Sequence, residues 1–150
     1  MILGYKMFWP WGGFTNFAQK ILKGIKKHSI RVDEKDRWRA AMKIQHAHGV
    51  RTKRYLMFLE GECKSIQKIK IIECDSTTSD YCYELIYKTN DKKIPYKNKY
   101  FKVLIDGNYQ DWKTIVKLAH NDGFDSTDDF FRWFFNGFSG KIIHFTDLKY

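Results

Sequence analysis

The order of strand-like and helix-like segments is the feature that most constrains how this chain can fold. Most of the first 105 residues read as short strands, and residues 81–88 place large apolar side chains at every second position. Two helix-like segments then follow one another, at residues 112–123 and after Ser126. A parallel α/β sheet requires strands and helices to alternate regularly. The order therefore predicts an α+β fold, a small mixed or antiparallel β-barrel with helices packed on its outside.

Turn residues and apolar periodicity place the individual elements. A first helix is predicted after Thr15 or Asn16, either of which can cap it, because Phe17 and Ile21 recur at helical spacing and Gly24 suits its end. The later helix rich in phenylalanine is apolar nearly all round, which predicts that it is buried. The predicted strands span residues 1–11, 26–31, 42–48, 55–60, 65–74, 81–88, 100–105 and 141–148.

The size and composition of the chain predict one domain that covers residues 1–150. The 12 Phe, 9 Tyr and 5 Trp supply an ample core for a chain of 150 residues. The longest early uncharged stretch, residues 7–19, contains Pro10 and two glycines and is shorter than the ~18 residues that a membrane span needs. Three cysteines without a CxxC pair favour a reducing compartment. We therefore expect a cytoplasmic protein that does not enter a membrane.

Positive charge is concentrated in the first third of the chain. Residues 1–56 carry 13 Lys and Arg but three acidic residues, whereas residues 57–150 carry 14 of each sign. A localised basic field is typical of proteins that bind a polyanion. The alternatives are a solvated face that keeps the protein soluble, an anionic membrane surface, and an acidic protein partner. Nucleic acid is the partner that this asymmetry favours.

Two segments resemble the signatures of a known family. Residues 17–31 read FAQKILKGIKKHSIR, and residues 122–131 read DGFDSTDDFF. They resemble two signatures of ASCH domains (activating-signal-cointegrator homology), which belong to the PUA-like barrel superfamily. The first segment is similar to the family's helix that ends in Ile/Leu-x-x-Gly and is followed by Lys-x-x-Thr/Ser-x-Arg. The second is similar to the family's acidic-Gly-Phe helix. The resemblance covers residues 14–146, with extensions at 47–56 and 75–100. The glycine usual before the second barrel strand is replaced by Ala40-Ala41-Met42.

The resemblance implies a cleft and three candidate catalytic residues. ASCH relatives include RNA-binding modules, a proposed ribonuclease class and hydrolases that deacylate acylated cytidine nucleosides. In a hydrolase of this type, Ser29 would replace a threonine nucleophile, Lys26 would take or stabilise its proton, and Asp122 would stand where the family has a glutamate. As a structural alternative, Ser29 is an ordinary strand residue and Asp122 an ordinary helix-end residue.

Further residues are candidates for contact with nucleic acid. Arg31 offers a planar fork for phosphate or a base edge, and Lys26 a mobile charge. His46 and His48 share one face of a predicted strand and suit phosphate contact or acid–base chemistry. Trp11 is a candidate for stacking on an unpaired base. The basic loop that follows His48 adds Arg51, Lys53 and Arg54.

The sequence therefore predicts a module that uses a basic cleft to bind nucleic acid, RNA above all, or a nucleotide. The alternative is a small hydrolase that acts on an acylated cytidine-type nucleoside or on RNA. We expect neither a cofactor nor a metal, since no two soft ligands stand at zinc-finger spacing.

Overall fold

The strands and helices of the computed structural model confirm the α+β class. The structure describes residues 1–75 and 81–150. Within these residues the strands are β1 (Ile2–Tyr5), β2 (His28–Arg31), β3 (Lys43–His48), β4 (Leu56–Glu62), β5 (Ser65–Cys74), β6 (Tyr83–Lys88), β7 (Tyr96–Ile105), β8 (Asn108–Tyr109) and β9 (Phe138–His144). The helices are α1 (Phe17–Leu22), α2 (Trp112–Asn121) and α3 (Thr127–Trp133).

The strands form two separate sheets. The first has the order β1-β3-β4, with β1 parallel to β3 and β4 antiparallel to it. The second has the order β2-β9-β5-β7-β6 and is antiparallel throughout, with β8 paired to β7. Across the described ranges no strand pairing joins the sheets, so the expected closed barrel is not observed.

The sheets meet at a corner and at an open seam. Between β4 and β5, the Cys63 N–H donates to the Met42 carbonyl next to the first sheet, while the Lys64 N–H donates to the His144 carbonyl of the second, both at 2.8 Å. One run of chain thus belongs to both sheets. On the other side, the Nη2 of Arg31 in β2 donates to the Gly4 carbonyl of β1 at 2.7 Å. A side chain bridges this seam in place of backbone pairing.

One hydrophobic cluster contains residues from both sheets and all three helices. The buried helix rich in phenylalanine is confirmed, since Phe130 and Phe131 of α3 are fully buried. Phe131 stacks on Phe101 of β7 with ring centroids 4.7 Å apart. Burying such a side chain stabilises a fold by roughly 1.5–3 kcal/mol. As predicted, Ser126 caps this helix by accepting the Asp129 N–H.

Several elements differ from their predicted bounds for local reasons. Asn16 precedes α1 in the left-handed region, with φ 54°, and its side chain makes no capping hydrogen bond. Strand β9 starts at Phe138, three residues before the predicted strand, because residues 138–140 already pair with residues 69–71 of β5. Gly140 lies so close to the Arg31 carbonyl that a Cβ would lie 2.4 Å from it. Strand β7 begins at Tyr96, within the segment predicted as a loop, and β8 has no counterpart in the prediction.

The two predicted extensions and the cysteines have defined places. The extension at 47–56 forms the end of β3, a loop and the start of β4. The extension at 75–100 includes β6 and the first half of β7, and its residues 76–80 lie outside the described residues. Cys63 is buried, and the Sγ atoms of Cys74 and Cys82 lie 2.9 Å apart in a thiol contact that spacing alone did not predict.

Candidate functional site

A buried ion pair joins the two segments that resemble the family signatures. The Nζ of Lys26 lies 2.7 Å from the Oδ1 of Asp122 and also donates to the Asp122 backbone carbonyl. The side chains of Lys26 and Asp122 are 2% and 6% exposed, so the pair is closed off from water. Ninety-six residues of chain separate the partners. The fold therefore brings together Lys26 and Asp122, the two charged residues proposed for catalysis.

The end of α2 holds Asp122 in place. Beyond the helix, the Gly123 N–H donates to the His120 carbonyl and the Phe124 N–H to the Ala119 carbonyl, which is the Schellman arrangement. Gly123 has φ 88°, and a Cβ there would lie 3.1 Å from Lys26 Cδ and from the Phe17 ring. Glycine is thus required both by the turn and by the close packing of Lys26.

Asp122 also contacts a group of buried polar side chains behind it. The Nδ1 of His28 lies 3.4 Å from Asp122 Oδ1, without hydrogen-bond alignment. The Nε2 of His28 contacts the Tyr150 hydroxyl at 2.8 Å, and the Asn121 amide donates to the same hydroxyl at 3.0 Å. Tyr150 therefore fixes the ring of His28 on the side away from Asp122.

On its other side, Lys26 lies among aromatic rings. Its Nζ is 4.7 Å from the ring centroid of Phe17 and 5.8 Å from that of Tyr5. The Tyr5 hydroxyl contacts His46 Nδ1 at 2.8 Å, and the guanidinium of Arg31 lies 5.5 Å from the Tyr5 ring centroid. Cation–π contacts of this kind favour the charged form of a buried ammonium or guanidinium group.

Burial shifts the pKa values of these groups in opposite senses. It lowers the pKa of Lys26 to about 8, although the Asp122 carboxylate works against the shift. Burial alone would raise the pKa of Asp122, but the charge of Lys26 and the neighbouring His28 outweigh it, and the pKa is lowered. Burial lowers the pKa of His46 to about 4 and raises that of Tyr5. At neutral pH, the site therefore holds one ammonium–carboxylate pair beside a neutral histidine and a neutral phenol.

Ser29 and Arg31 share one face of β2, since side chains alternate along a strand. Ser29 is 1% exposed. Arg31 already donates to two backbone carbonyls, those of Gly4 and Ile30. The fork of Arg31 is therefore engaged within the protein by this bridge.

An exposed loop with four apolar side chains lies in front of the buried pair. This aromatic loop, residues 6–14, exposes about half of each of Met7, Phe8, Trp11 and Phe14. Phe8 and Phe14 contact each other at 4.8 Å between ring centroids. Trp11 stacks in parallel on the buried Trp9 at 5.4 Å and packs at a right angle to the Trp133 ring at 6.4 Å, and it remains 40% exposed.

A pocket and a groove border the aromatic loop. The pocket, of about 300 Å³, lies between the loop and α1. Tyr5 and Phe17, the two rings that cover Lys26, form part of its wall, and His48 lies at its side. The groove, of about 460 Å³, separates the aromatic loop from Gly49 and Val50 of the basic loop, residues 49–54.

The basic loop carries three exposed cations, Arg51, Lys53 and Arg54. None of them forms an ion pair with another residue in the described part of the chain. Arg51 has φ 65°, and the Gly49 backbone lies so close to the Arg54 carbonyl that a Cβ would approach to 2.3 Å. The loop is thus a tight turn that presents its cations to solvent.

The structure divides the predicted site residues into a buried and an exposed group. Lys26, Ser29, His46 and Asp122 are buried, with Arg31 half-buried beside them, whereas Trp11, His48 and the cations of the basic loop border the pocket, the groove or solvent. Sequence reasoning did not include Tyr5, His28 or Tyr150, which complete the buried group. The spacing of Lys26 and His28, two residues apart, was the signal available for one of them.

The described residues contain neither a cluster suited to a metal ion nor a helix suited to crossing a membrane. They contain no group of three or more His, Cys, Asp or Glu side chains arranged to hold a metal ion. No helix among them has the length and hydrophobicity needed to cross a bilayer.

Comparison with known proteins identifies no relative of this chain. Family models, curated proteins and solved structures were searched, and none of them matches this chain.

Proposed function

We propose that this protein binds single-stranded nucleic acid, RNA above all, across the groove between its aromatic loop and its basic loop. The observation that carries the proposal is a groove that the exposed Met7 and Phe8 share with Gly49 and Val50, next to a loop whose three exposed cations have no ion-pair partner among the described residues. Single-stranded nucleic acid is recognised by the same combination, in which bases stack on aromatic rings and phosphates lie along a basic path.

Each part of the groove has a role in this proposal. Phe8, which lines the groove, and Trp11, which is exposed farther along the aromatic loop, supply rings on which unstacked bases can lie, and stacking contributes about 1–3 kcal/mol per base. Lys53 and Arg54 neutralise phosphates. His48 borders the adjoining pocket, which has the volume to take a base or a nucleoside-sized ligand. Lys26 and His46 act from behind the pocket wall, by their charge and by holding Tyr5.

Salt dependence of RNA binding tests the proposal. We expect the affinity for a short single-stranded RNA to fall steeply with salt, with ~0.7 counterion released per neutralised phosphate. The double variant Lys53→Glu/Arg54→Glu should flatten the slope of log affinity against log salt by about 1.4, because two phosphate contacts are lost. Fluorescence anisotropy with labelled RNA and DNA of the same length measures both the slope and the preference for RNA.

The chain offers a matched control on another exposed loop. Lys92→Glu/Lys93→Glu changes the net charge by the same amount, at residues distant from the aromatic loop in sequence, and should change the slope less. Equal effects of the two double variants would contradict a localised binding path. Trp11→Ala should weaken binding without changing the slope, because it removes a ring and no charge.

The buried ion pair supports a second candidate function, hydrolysis of an acylated cytidine-type nucleoside. A lysine with a pKa of about 8 and a carboxylate 2.7 Å from it are groups that can activate a serine, and Ser29 is buried on the strand that follows Lys26. They also support our proposal that the chain is a divergent ASCH domain whose PUA-like barrel is open at the seam between β1 and β2. Catalysis would require that seam or the Tyr5–Phe17 wall to admit substrate.

Turnover of acylated nucleosides and of RNA tests this second function. Ser29→Ala should abolish hydrolysis while binding persists, because one hydroxyl and no charge is lost. Ser139→Ala, at an exposed position of β9, should retain full turnover. Asp122→Glu restores the longer carboxylate of the family and should keep or raise the rate. RNA cleavage that persists in Ser29→Ala but is lost in His46→Ala or His48→Ala would instead indicate a histidine-dependent ribonuclease.

A further inference from the structure

Strand β4 is an exposed edge of the first sheet. Its inner edge pairs with β3, and no described strand pairs with its outer edge. Along it, Tyr55, Leu56, Met57 and Leu59 are each more than a third exposed, and Leu56 reaches 54%. A long apolar edge strand is a template for pairing with another chain, and folded proteins normally cover or charge such an edge.

The backbone of β4 is oriented for pairing at this edge. The Gln45 N–H in β3 donates to the Met1 carbonyl at 2.8 Å, so it points away from β4. Gln45 lies opposite Glu60 in the antiparallel register. Opposed residues in such a ladder point either toward each other or both away. The N–H and carbonyl of Glu60 therefore point to the open edge.

The charges at the two ends of β4 are of opposite sign. Lys53 and Arg54 precede the strand, and Glu60 and Glu62 lie at its end. Glu62 makes an exposed ion pair with Lys64 at 3.4 Å, whereas Glu60 has no ion-pair partner in the described ranges. Exposed pairs of this type are weak, so both carboxylates are available to a new partner.

We propose that β4 pairs antiparallel with β4 of a second copy of this chain. The register of β4 against β3 shifts at Phe58, and an antiparallel pair centred on this bulge brings the basic start of one strand, Lys53 and Arg54, to the acidic end of the other. The two-fold symmetry repeats this contact. The same pairing lays the apolar run 55–59 of each copy against that of the other and joins two three-stranded sheets into one of six strands. A parallel pair would instead oppose like charges, which disfavours it.

The charge pattern of β4 favours a second copy of this chain as its partner. A C2 interface must be self-complementary, because the same surface serves both subunits. The basic start, apolar middle and acidic end of β4 meet this condition when the strand is reversed against itself. The inference shares Lys53 and Arg54 with the proposed nucleic-acid path, but its test uses protein alone and can fail while RNA binding persists.

Solution mass with paired charge reversals tests the proposal. We expect wild-type protein to show twice the 18.0 kDa mass of one chain in sedimentation velocity at low salt, and to dissociate on dilution or in high salt. Glu60→Lys/Glu62→Lys makes the strand basic throughout, and Lys53→Glu/Arg54→Glu makes it acidic throughout. Each variant should be monomeric, and an equimolar mixture of the two should recover the doubled mass.

Controls separate this result from unfolding or a general charge effect. Lys92→Glu/Lys93→Glu should stay dimeric, and circular dichroism should show each variant folded. Amide hydrogen exchange of wild-type protein gives a readout that needs no variant, since the Glu60 amide should exchange more slowly at high than at low protein concentration. A wild-type chain that is monomeric throughout, reversal variants that dimerise like wild type, or a mixture that stays monomeric overturns the proposal.

Discussion

The buried Lys26–Asp122 pair and the exposed basic loop use the same kinds of charged residue in opposite environments. Lys26 is enclosed by Asp122, two aromatic rings and a helix end, and its pKa falls to about 8. Lys53 and Arg54 lie in water on a tight turn and face no carboxylate within the described residues. A charge removed from water must be compensated inside the protein, whereas a solvated charge stays available to a partner.

This contrast indicates which charges determine stability and which determine binding. Removing a partner of the buried pair leaves an uncompensated ion in the interior. Removing a cation of the basic loop breaks no ion pair among the described residues of the same chain. The two regions should therefore respond differently to substitution and to pH.

The largest expected effect is the loss of the buried carboxylate. Asp122→Asn leaves the Lys26 ammonium without its counter-ion and should lower the free energy of unfolding by about 3–5 kcal/mol. Urea denaturation at neutral pH measures it. The matched control is Asp125→Asn, which breaks the Lys20–Asp125 ion pair, whose carboxylate is 62% exposed, and should cost less than about 1 kcal/mol.

A double variant sharpens the same measurement. Lys26→Met combined with Asp122→Leu removes both charges and should recover part of the loss, since apolar replacement of a buried pair is often neutral. Equal losses for Asp122→Asn and Asp125→Asn would show that the buried pair is no more critical than a surface pair.

A smaller effect is expected from acid. Burial lowers the pKa values of His46 and His144 to about 4, against about 6.5 in an unfolded chain. Between these values the unfolded state binds more protons than the folded state. The free energy of unfolding therefore decreases as the pH falls from 6.5 to 4, by up to about 1.4 kcal/mol per pH unit for each histidine.

Variants at two histidines check this pH dependence. Both ring nitrogens of His144 are buried without a hydrogen-bond partner among the described residues, so His144→Leu removes a titrating group that packs against the rings of His28 and Tyr150 without breaking a hydrogen bond. Urea denaturation between pH 7 and pH 4 should show a shallower decrease for this variant, and a decrease like that of wild type for His120→Gln on the exposed side of α2. Parallel profiles for His144→Leu and wild type would contradict the assignment.

Local sequence signals predicted most of the elements, while the site depends on contacts that are distant in sequence. Strand β5 has the bounds that its flanking residues indicate, and Ser126 caps α3 as its residue type predicts. No periodicity links Tyr5 to His46 or His28 to Tyr150. Lys26 and Asp122 were linked through a family resemblance and not through spacing.

The solvent exposure of strand edges and side chains also could not be predicted from local sequence patterns. A strand pattern predicts β4 but does not say whether a neighbour covers its outer edge, because pairing is decided by the rest of the fold. Similarly, Leu22 follows the buried Ile21 at the end of α1, yet it is 60% exposed. The burial of His46 beside the half-buried His48 likewise follows from packing against Tyr5 and Phe58.

The corner at Cys63 and Lys64 has a consequence for the way the molecule opens. Because one covalent run belongs to both sheets, the first sheet cannot come away without pulling the Lys64 N–H from the His144 carbonyl. The two sheets therefore form one cooperative unit rather than two that melt independently. The thiol of Cys63, fully buried at this corner, becomes reactive only when that whole unit opens, so its rate of alkylation reports global unfolding.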